Sequence, residues 1–333
     1  MSAALEQTPR AADAAYRDEW RPYEQDPGPL VFLVGCQRSG TSWLHLQLAR
    51  SGAFRFLSAY DVHAGAGGAL VHNHRQGLDV EARAAFDARL AGAAPDRGID
   101  AIPARADTPE EYGLLIGDGG LRYDRPDTTP QTLPRLRELC AKKALIEGRG
   151  RPLLLKSPPD YPAALPLLTR TWPQARFVAI QRHPLLTLHS QVTAWRELVV
   201  RENRYLLLLE RGYRELFENP PRRLQQGLFL HSPAGVAWLA DSILRAHLGF
   251  LRWLDAGPGA EVLTLRYEDL CADQGTAFAR LSRFLGLDLP APEAAPAPRA
   301  ARLAADVLAA YEARRDAFAP FLERFGYEGA PAP

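Results

Sequence analysis

The chain has 333 residues, of which 47% are hydrophobic and 24% charged, a balance typical of a globular enzyme with a buried core. Its 40 basic and 39 acidic residues give a net charge of +1, which argues against a general nucleic-acid binder. The amino terminus lacks the apolar core of a signal peptide, and no apolar run is long enough to predict stable membrane insertion. The few, widely separated cysteines (Cys36, Cys140 and Cys271) indicate reduced thiols and a cytoplasmic location.

Strand and helix patterns alternate along the chain. Residues 1–29 are polar and alanine-rich, and we expect a partly ordered lead-in before a single domain that spans 30–333. Apolar runs predict strands at 30–34, 54–57, 152–156, 176–181 and 261–266. Helices are predicted at 41–51, 80–90, 133–147, 163–169, from 184 onward, within 196–255, and at 277–285 and 300–318, with a helix start at 109–112 and a proline-rich extended segment at 287–298. This alternation predicts an α/β fold with a parallel β-sheet flanked by helices.

The strongest local motif follows the first predicted strand. Residues 35–42 read G-C-Q-R-S-G-T-S, which has the spacing of a phosphate-binding loop but carries Thr41 where a nucleoside triphosphatase has lysine. Glycines allow a tight turn that exposes N–H groups, and the following helix points its positive end at an anion. The alternative is a plain glycine turn before a capped helix. The missing lysine favours a 5′-phosphate with one further anionic group over a triphosphate–metal complex.

A second anion-binding pair lies midway along the chain. Arg182 ends a predicted buried strand, and Ser190 lies eight residues later, about two turns into the next predicted helix. A guanidinium at a strand end and a hydroxyl on the next helix can converge on one phosphate at the edge where α/β sheets bind ligands. A surface arginine beside an unrelated serine is the alternative.

Four segments together resemble one known family. Residues 36–43 resemble its phosphosulfate loop, 154–158 (LLKSP) its strand-end motif, 172–190 its 3′-phosphate segment, and 265–270 (RYEDL after a leucine) with 284–287 (FLGL) its later motif. The chain, over about 30–290, thus resembles the bacterial branch of the sulfotransferases that use 3′-phosphoadenosine 5′-phosphosulfate (PAPS). The resemblance implies a P-loop NTPase-like sulfotransferase fold and transfer of a sulfuryl group from PAPS, which leaves PAP, without a metal.

The resemblance also implies roles for individual residues. The 5′-phosphate and sulfate would be held by Arg38, Ser39, Gly40, Thr41 and Ser42. Trp43 and Tyr267 would lie beside the adenine, and Arg182 and Ser190 would bind the 3′-phosphate. We predict that Lys156, at the end of a strand, neutralises the bridging oxygen as PAP leaves, with Arg38 as a second catalytic cation.

The sequence offers several candidates for the general base. Many family members have a histidine two residues after the strand-end lysine, whereas this chain has Pro158 at that position. We favour His63, since an ordinary histidine pKa near 6.5 suits a base at neutral pH. Asp61 is the second candidate. His72 and His74 are weaker, and Glu111 stays open.

The partner of the reaction is predicted only by class. We expect a hydroxyl or amine on a small-molecule, glycan or lipid acceptor, no nucleic acid, and a possible homodimer. Two other interpretations stay open: a P-loop-type nucleotide kinase, and a non-catalytic nucleotide-binding protein on the same fold.

Overall fold

The computed structural model of the protein describes residues 12–93, 96–98, 100, 102–117, 125–293 and 303–327. Five strands form one sheet: β1 (Leu30–Val34), β2 (Arg55–Phe56), β3 (Leu153–Lys156), β4 (Arg176–Gln181) and β5 (Glu261–Arg266). Their order is β2-β3-β1-β4-β5, and every neighbouring pair is parallel. Because all five strands run the same way, their carboxyl ends lie at one edge of the sheet.

Helices flank the sheet and fill the connections between strands. In chain order they are α1 (Arg17–Trp20), α2 (Thr41–Arg50), α3 (Ala59–Ala66), α4 (Leu70–Arg75), α5 (Asp79–Ala93), α6 (Gly113–Ile116), α7 (Leu133–Glu147), α8 (Leu165–Thr171), α9 (Pro184–Val200), α10 (Arg204–Leu209), α11 (Arg211–Phe217), α12 (Pro220–His231), α13 (Pro233–Asp255), α14 (Tyr267–Ala272), α15 (Gln274–Leu285), α16 (Ala305–Glu312) and α17 (Arg315–Arg324). Single 3₁₀ turns occur at Ala12–Tyr16, Arg21–Glu24 and Pro158–Asp160.

Both faces of the sheet are buried, which explains why its central strands are continuous apolar runs. Side chains alternate between the faces along each strand. In β1, Phe32 joins the core beneath α8, α9 and α13, whereas Leu33 joins the core beneath α2 and α15. Phe32 stacks on Phe177 of β4 with ring centroids 5.2 Å apart. The sheet therefore forms the middle of three layers.

The predicted α/β fold is confirmed, with each predicted strand present to within two residues. One predicted helix start, at 109–112, is wrong. Pro109 bridges Ser58, and the Glu110 N–H donates to the Leu57 carbonyl, so the segment is extended and α6 begins only at Gly113. The predicted last helix is two helices, α16 and α17. Parts of two other predictions, the lead-in before residue 12 and residues 294–298 of the proline-rich segment, lie outside the described residues.

Two bulk properties bear on function. No helix within the described ranges is both long and apolar enough to cross a membrane. In the same ranges, no group of three or more histidine, cysteine and acidic side chains is placed to hold a metal ion. Cys36, Cys140 and Cys271 are free thiols, and the first two are buried.

Candidate active site

The loop after β1 and the first residues of α2, positions 35–42, form a tight turn that we call the cradle. Arg38 has a φ of 68° and Gly40 a φ of 99°, so two residues of the loop adopt left-handed backbone. For a side-chain-bearing residue this conformation costs about 1–2 kcal/mol, a strain that the surrounding loop must hold. A Cβ on Gly40 would lie 2.3 Å from the Tyr267 ring, and one on Gly35 would lie 2.6 Å from the Ile180 carbonyl. Both glycines are therefore required where they stand.

At the cradle lie polar atoms that have no hydrogen-bond partner among the residues that the structure describes. These are the buried Ser39 hydroxyl and Nε of Arg182. No side chain caps α2, whose first N–H groups follow Gly40. Because buried donors without partners are costly, their concentration at one helix start indicates a site for an anionic ligand.

The two predicted anion-binding segments are in direct contact. Nε of Arg38 donates to Oγ of Ser190 at 3.2 Å, and Nη1 of Arg182 donates to the Arg38 carbonyl at 2.9 Å. The Arg182 guanidinium lies over the Tyr267 ring, 4.7 Å from its centroid. The structure thus brings the loop after β1, the first turns of α9 and the start of α14 to one place at the carboxyl edge of the sheet.

Two aromatic side chains flank this cradle. Trp43, in the first turn of α2, and Tyr267 both pack on the core that includes Phe278, and the Trp43 ring meets the Phe278 ring edge-on at 6.4 Å. Burial raises the pKa of Tyr267 to about 12, and the nearby Arg182 charge opposes that rise. Tyr267 is therefore a neutral aromatic surface that suits stacking with a planar nucleobase.

Lys156 lies at the same edge, where β3 ends. Its side chain is 1% exposed, and Nζ lies 3.1 Å from Oγ of Ser42 and 2.7 Å from Oε1 of Glu111. Ser42 belongs to the cradle, so the ammonium group sits beside the predicted sulfate position. Glu111 lies on an extended segment between β2 and β3. The sequence favours Glu111 less than Asp61 and His63 as a general base.

Asp61 is engaged in structural contacts. It is the N3 residue of α3 and forms a capping box with Ser58. Its carboxylate also contacts Nζ of Lys143 at 2.8 Å and Nη2 of Arg83 at 3.2 Å, and the side chain is 2% exposed. Burial alone would raise the Asp61 pKa, but the charges of Lys143 and Arg83 outweigh burial and hold the pKa below its usual value. These contacts give the Asp61 carboxylate a structural role that does not require it to take part in the reaction.

The three histidine candidates also have other neighbours. The His63 ring stacks on Phe86 with centroids 4.5 Å apart, and burial, with a smaller effect of the Arg89 charge, lowers its pKa to about 4. A base with so low a pKa takes up protons weakly at pH 7. His72 packs edge-on to Tyr16, and His74 pairs with Asp79 at 2.9 Å.

Two residues around the site carried no readable signal in the sequence. Nε2 of Gln191, one position after Ser190, donates to the Gln37 carbonyl at 2.9 Å and so braces the cradle from α9. Asp127 accepts a hydrogen bond from Ser157, next to Lys156, and burial raises the pKa of its carboxyl to about 7. Both depend on contacts between segments more than 25 residues apart.

A groove of about 700 Å³ opens between α8 and α13, near the residues that follow β3. Its lining includes the aromatic rings of Tyr161 and Trp253, and four arginines: Arg125, Arg170, Arg245 and Arg252. Among the described residues, the lining has four arginines and no carboxylate, which makes this part of the groove electropositive.

A sequence model of the sulfotransferase family matches residues 29–231. The chain belongs to the sulfotransferase family. The matched range contains the cradle, Lys156, Arg182 and Ser190, whereas Tyr267 lies beyond it. This sulfotransferase must therefore bind a sulfuryl donor and an acceptor.

A solved structure supports the fold of this chain, and a second one is similar over much of its length. Sulfotransferase STF9 of Mycobacterium avium matches with a TM-score of 0.55 and 15% identity, over 94% of this chain and 81% of that one. Sulfotransferase STF1 of Mycobacterium tuberculosis H37Rv matches with a TM-score of 0.49 and 16% identity, over 90% and 75%. No curated protein sequence matches this sulfotransferase.

Proposed function

We propose that the enzyme uses PAPS as its sulfuryl donor and transfers the group to a hydroxyl or amine by in-line displacement. The contact between Arg38 and Ser190 carries this proposal, because it joins the cradle after β1 to the helix after β4. A nucleotide with phosphates at both its 5′ and 3′ positions has anionic groups for both segments. The unsatisfied donors on Ser39 and Arg182 support the same ligand.

The cations of the site suit sulfuryl transfer, in which charge builds up on the leaving phosphate oxygen. Such reactions depend on positioning and on electrostatic stabilisation of that charge. Lys156 and Arg38 approach the cradle from β3 and from the loop itself, so both can stabilise the 5′-phosphate as the sulfur–oxygen bond breaks. Trp43 and Tyr267 offer aromatic surface to the adenine.

The donor assignment is tested by titrating PAP into the protein in a calorimeter. Arg182→Met should weaken PAP binding by about 10- to 100-fold, because a hydrogen bond to a charged group contributes about 1.5–3 kcal/mol. Arg283→Met, on the exposed side of α15, is the matched control and should bind PAP as the wild type does. Wild-type protein that fails to bind PAP, or an Arg182 variant with undiminished affinity, refutes the proposal.

The acceptor is found by incubating labelled PAPS with a panel of small alcohols, amines, glycans and lipids. Because arginines bind carboxylates and four of them line the groove, each neutral acceptor should be tested beside a carboxylated analogue, and the two rates of sulfation compared. Sulfation of any acceptor confirms an enzyme, whereas PAP binding without transfer across the panel favours a nucleotide-binding protein.

A further inference from the structure

The segment that carries Glu111 is fastened to the sheet on both sides of that residue. The Glu110 N–H donates to the Leu57 carbonyl at 2.7 Å, just beyond β2, and the Tyr112 N–H donates to the Lys156 carbonyl at 3.1 Å, at the end of β3. The side chains of Glu110 and Tyr112 are buried, 2% and 1% exposed. Glu111 is therefore held at a fixed place on the carboxyl edge of the sheet.

The two buried neighbours have partners of their own. Glu110 pairs with Arg97 at 3.2 Å and accepts a hydrogen bond from Tyr205, and the Tyr112 hydroxyl donates to Asp160. The carboxylate between them points the other way, to Nζ of Lys156. Within the described part of the chain, Glu111 is the carboxylate paired with Lys156.

The two members of this ion pair differ in access. The Lys156 side chain is 1% exposed and the Glu111 side chain 22% exposed. Lys156 also touches Ser42 of the cradle, so the ammonium faces the donor while the carboxylate faces outward. An acceptor that approaches the sulfur from outside meets the Glu111 carboxylate.

One titratable group beside the cradle, His45, is closed to an acceptor. His45 lies one turn after Ser42 on α2, and burial, with the charges of Lys156 and Arg97, lowers its pKa well below the usual value. It is 1% exposed and therefore closed to an acceptor.

We propose that Glu111 is the general base, and that its ion pair restrains Lys156 until the acceptor's proton arrives. This inference rests on the proposed use of PAPS. As the acceptor's O–H or N–H bond breaks, the proton moves to the Glu111 carboxylate and the freed electron pair forms the bond to sulfur. The bond between sulfur and the 5′-phosphate oxygen breaks, and its electron pair stays on PAP. Protonated Glu111 has lost its negative charge, so the full charge of Lys156 becomes available to the departing phosphate.

The ion pair between Glu111 and Lys156 predicts that PAPS is protected from hydrolysis by water when no acceptor is bound. An ionised carboxylate 2.7 Å from the ammonium lowers the positive potential that Lys156 presents to the donor. Water then attacks PAPS without full help from the lysine. The base and the leaving-group cation are therefore coupled through one ion pair.

The decisive measurement is the hydrolysis of labelled PAPS without an acceptor by Glu111→Gln, which removes the charge and keeps the shape. We expect hydrolysis to rise by about 3- to 10-fold and transfer to the acceptor from the panel to fall by at least about 100-fold, in the range of general-base contributions. Glu261→Gln is the matched control, because it breaks a carboxylate–arginine pair of the same 2.7 Å length at the opposite edge of the sheet. It should change neither rate.

The outcomes separate the two proposals. Hydrolysis by Glu111→Gln that is unchanged or slower, with PAP affinity intact, overturns the restraint. Transfer that persists in Glu111→Gln overturns the base assignment. A wild type that neither binds PAP nor consumes PAPS instead refutes the donor itself. If Glu111→Gln fails to bind PAP, Glu111→Asp gives the second measurement: it keeps a base, lengthens the ion pair and should still raise hydrolysis.

Discussion

Replacing Asp61 with asparagine separates a structural carboxylate from a catalytic one. The Asp61 carboxylate contacts Lys143 at 2.8 Å and Arg83 at 3.2 Å, and both Asp61 and Lys143 are at least 98% buried. An asparagine keeps the size but cannot balance the lysine charge. Lys143 would then depend on Glu147 alone, whose side chain is 26% exposed.

The expected loss follows from removing the buried partner of Lys143, since breaking a buried ion pair costs about 3–5 kcal/mol and the partly exposed Glu147 compensates only in part. For a chain of 333 residues, an unfolding entropy of about 2.1 cal/mol/K per residue gives about 0.7 kcal/mol/K. Asp61→Asn should therefore lower Tm by roughly 4–7 °C.

Scanning calorimetry measures this shift, and sulfuryl transfer from PAPS to an acceptor, measured well below Tm, reports on the site. The double variant Asp61→Asn/Lys143→Met should recover part of the lost stability, since the buried lysine charge that Asp61→Asn leaves poorly balanced is then removed. If Asp61→Asn melts within about 1 °C of the wild type while transfer collapses, the reasoning is refuted, and Asp61 rather than Glu111 becomes the base.

Two further predictions concern the cradle and pH. Gly40→Ala should abolish PAP binding in calorimetry, because its φ of 99° disfavours a side chain and the added Cβ would displace the Tyr267 ring; wild-type affinity would contradict this. Burial raises the Asp127 pKa to about 7 from an ordinary 3.8, so the folded protein keeps a proton that the unfolded chain releases from about pH 4 upward. The stability that this proton provides is complete below about pH 4 and is lost as pH rises through 7, by about 4 kcal/mol in all. Asp127→Asn should flatten that decline in Tm between pH 4 and 8, and an unchanged slope would contradict the assignment.

The turns and strand ends of the proposed donor site could be predicted from the sequence, because their signals are local. A continuous apolar run followed by G-x4-G-T-S specifies a buried strand, a tight turn and a helix start within 13 residues, 30–42. Arg182, directly after β4, and Ser190, on α9, are also marked by local patterns. Their direct contact with Arg38 depends on the neighbouring positions of β1 and β4 in the sheet, which no local pattern states.

The acceptor side was harder to predict for physical reasons. Glu111 and Lys156 lie 45 positions apart, and two backbone hydrogen bonds to strand ends bring them together. His63 looked suitable by its ordinary pKa, but stacking on Phe86 buries it. For Asp61 the sequence did carry a signal: Ser58 three residues before it matches a capping box, which assigns the carboxylate to the helix end.

The separate origins of the two halves of the site bear on how such enzymes diversify. The proposed donor half consists of turns that directly follow β1, β4 and β5, so its geometry depends on the sheet itself. The proposed proton-accepting half lies on the segment between β2 and β3 and is held by main-chain N–H groups, which every residue type except proline supplies. If both proposals hold, substitutions in that segment would change the acceptor while nucleotide binding is kept, and Lys156 would be the residue that both halves share.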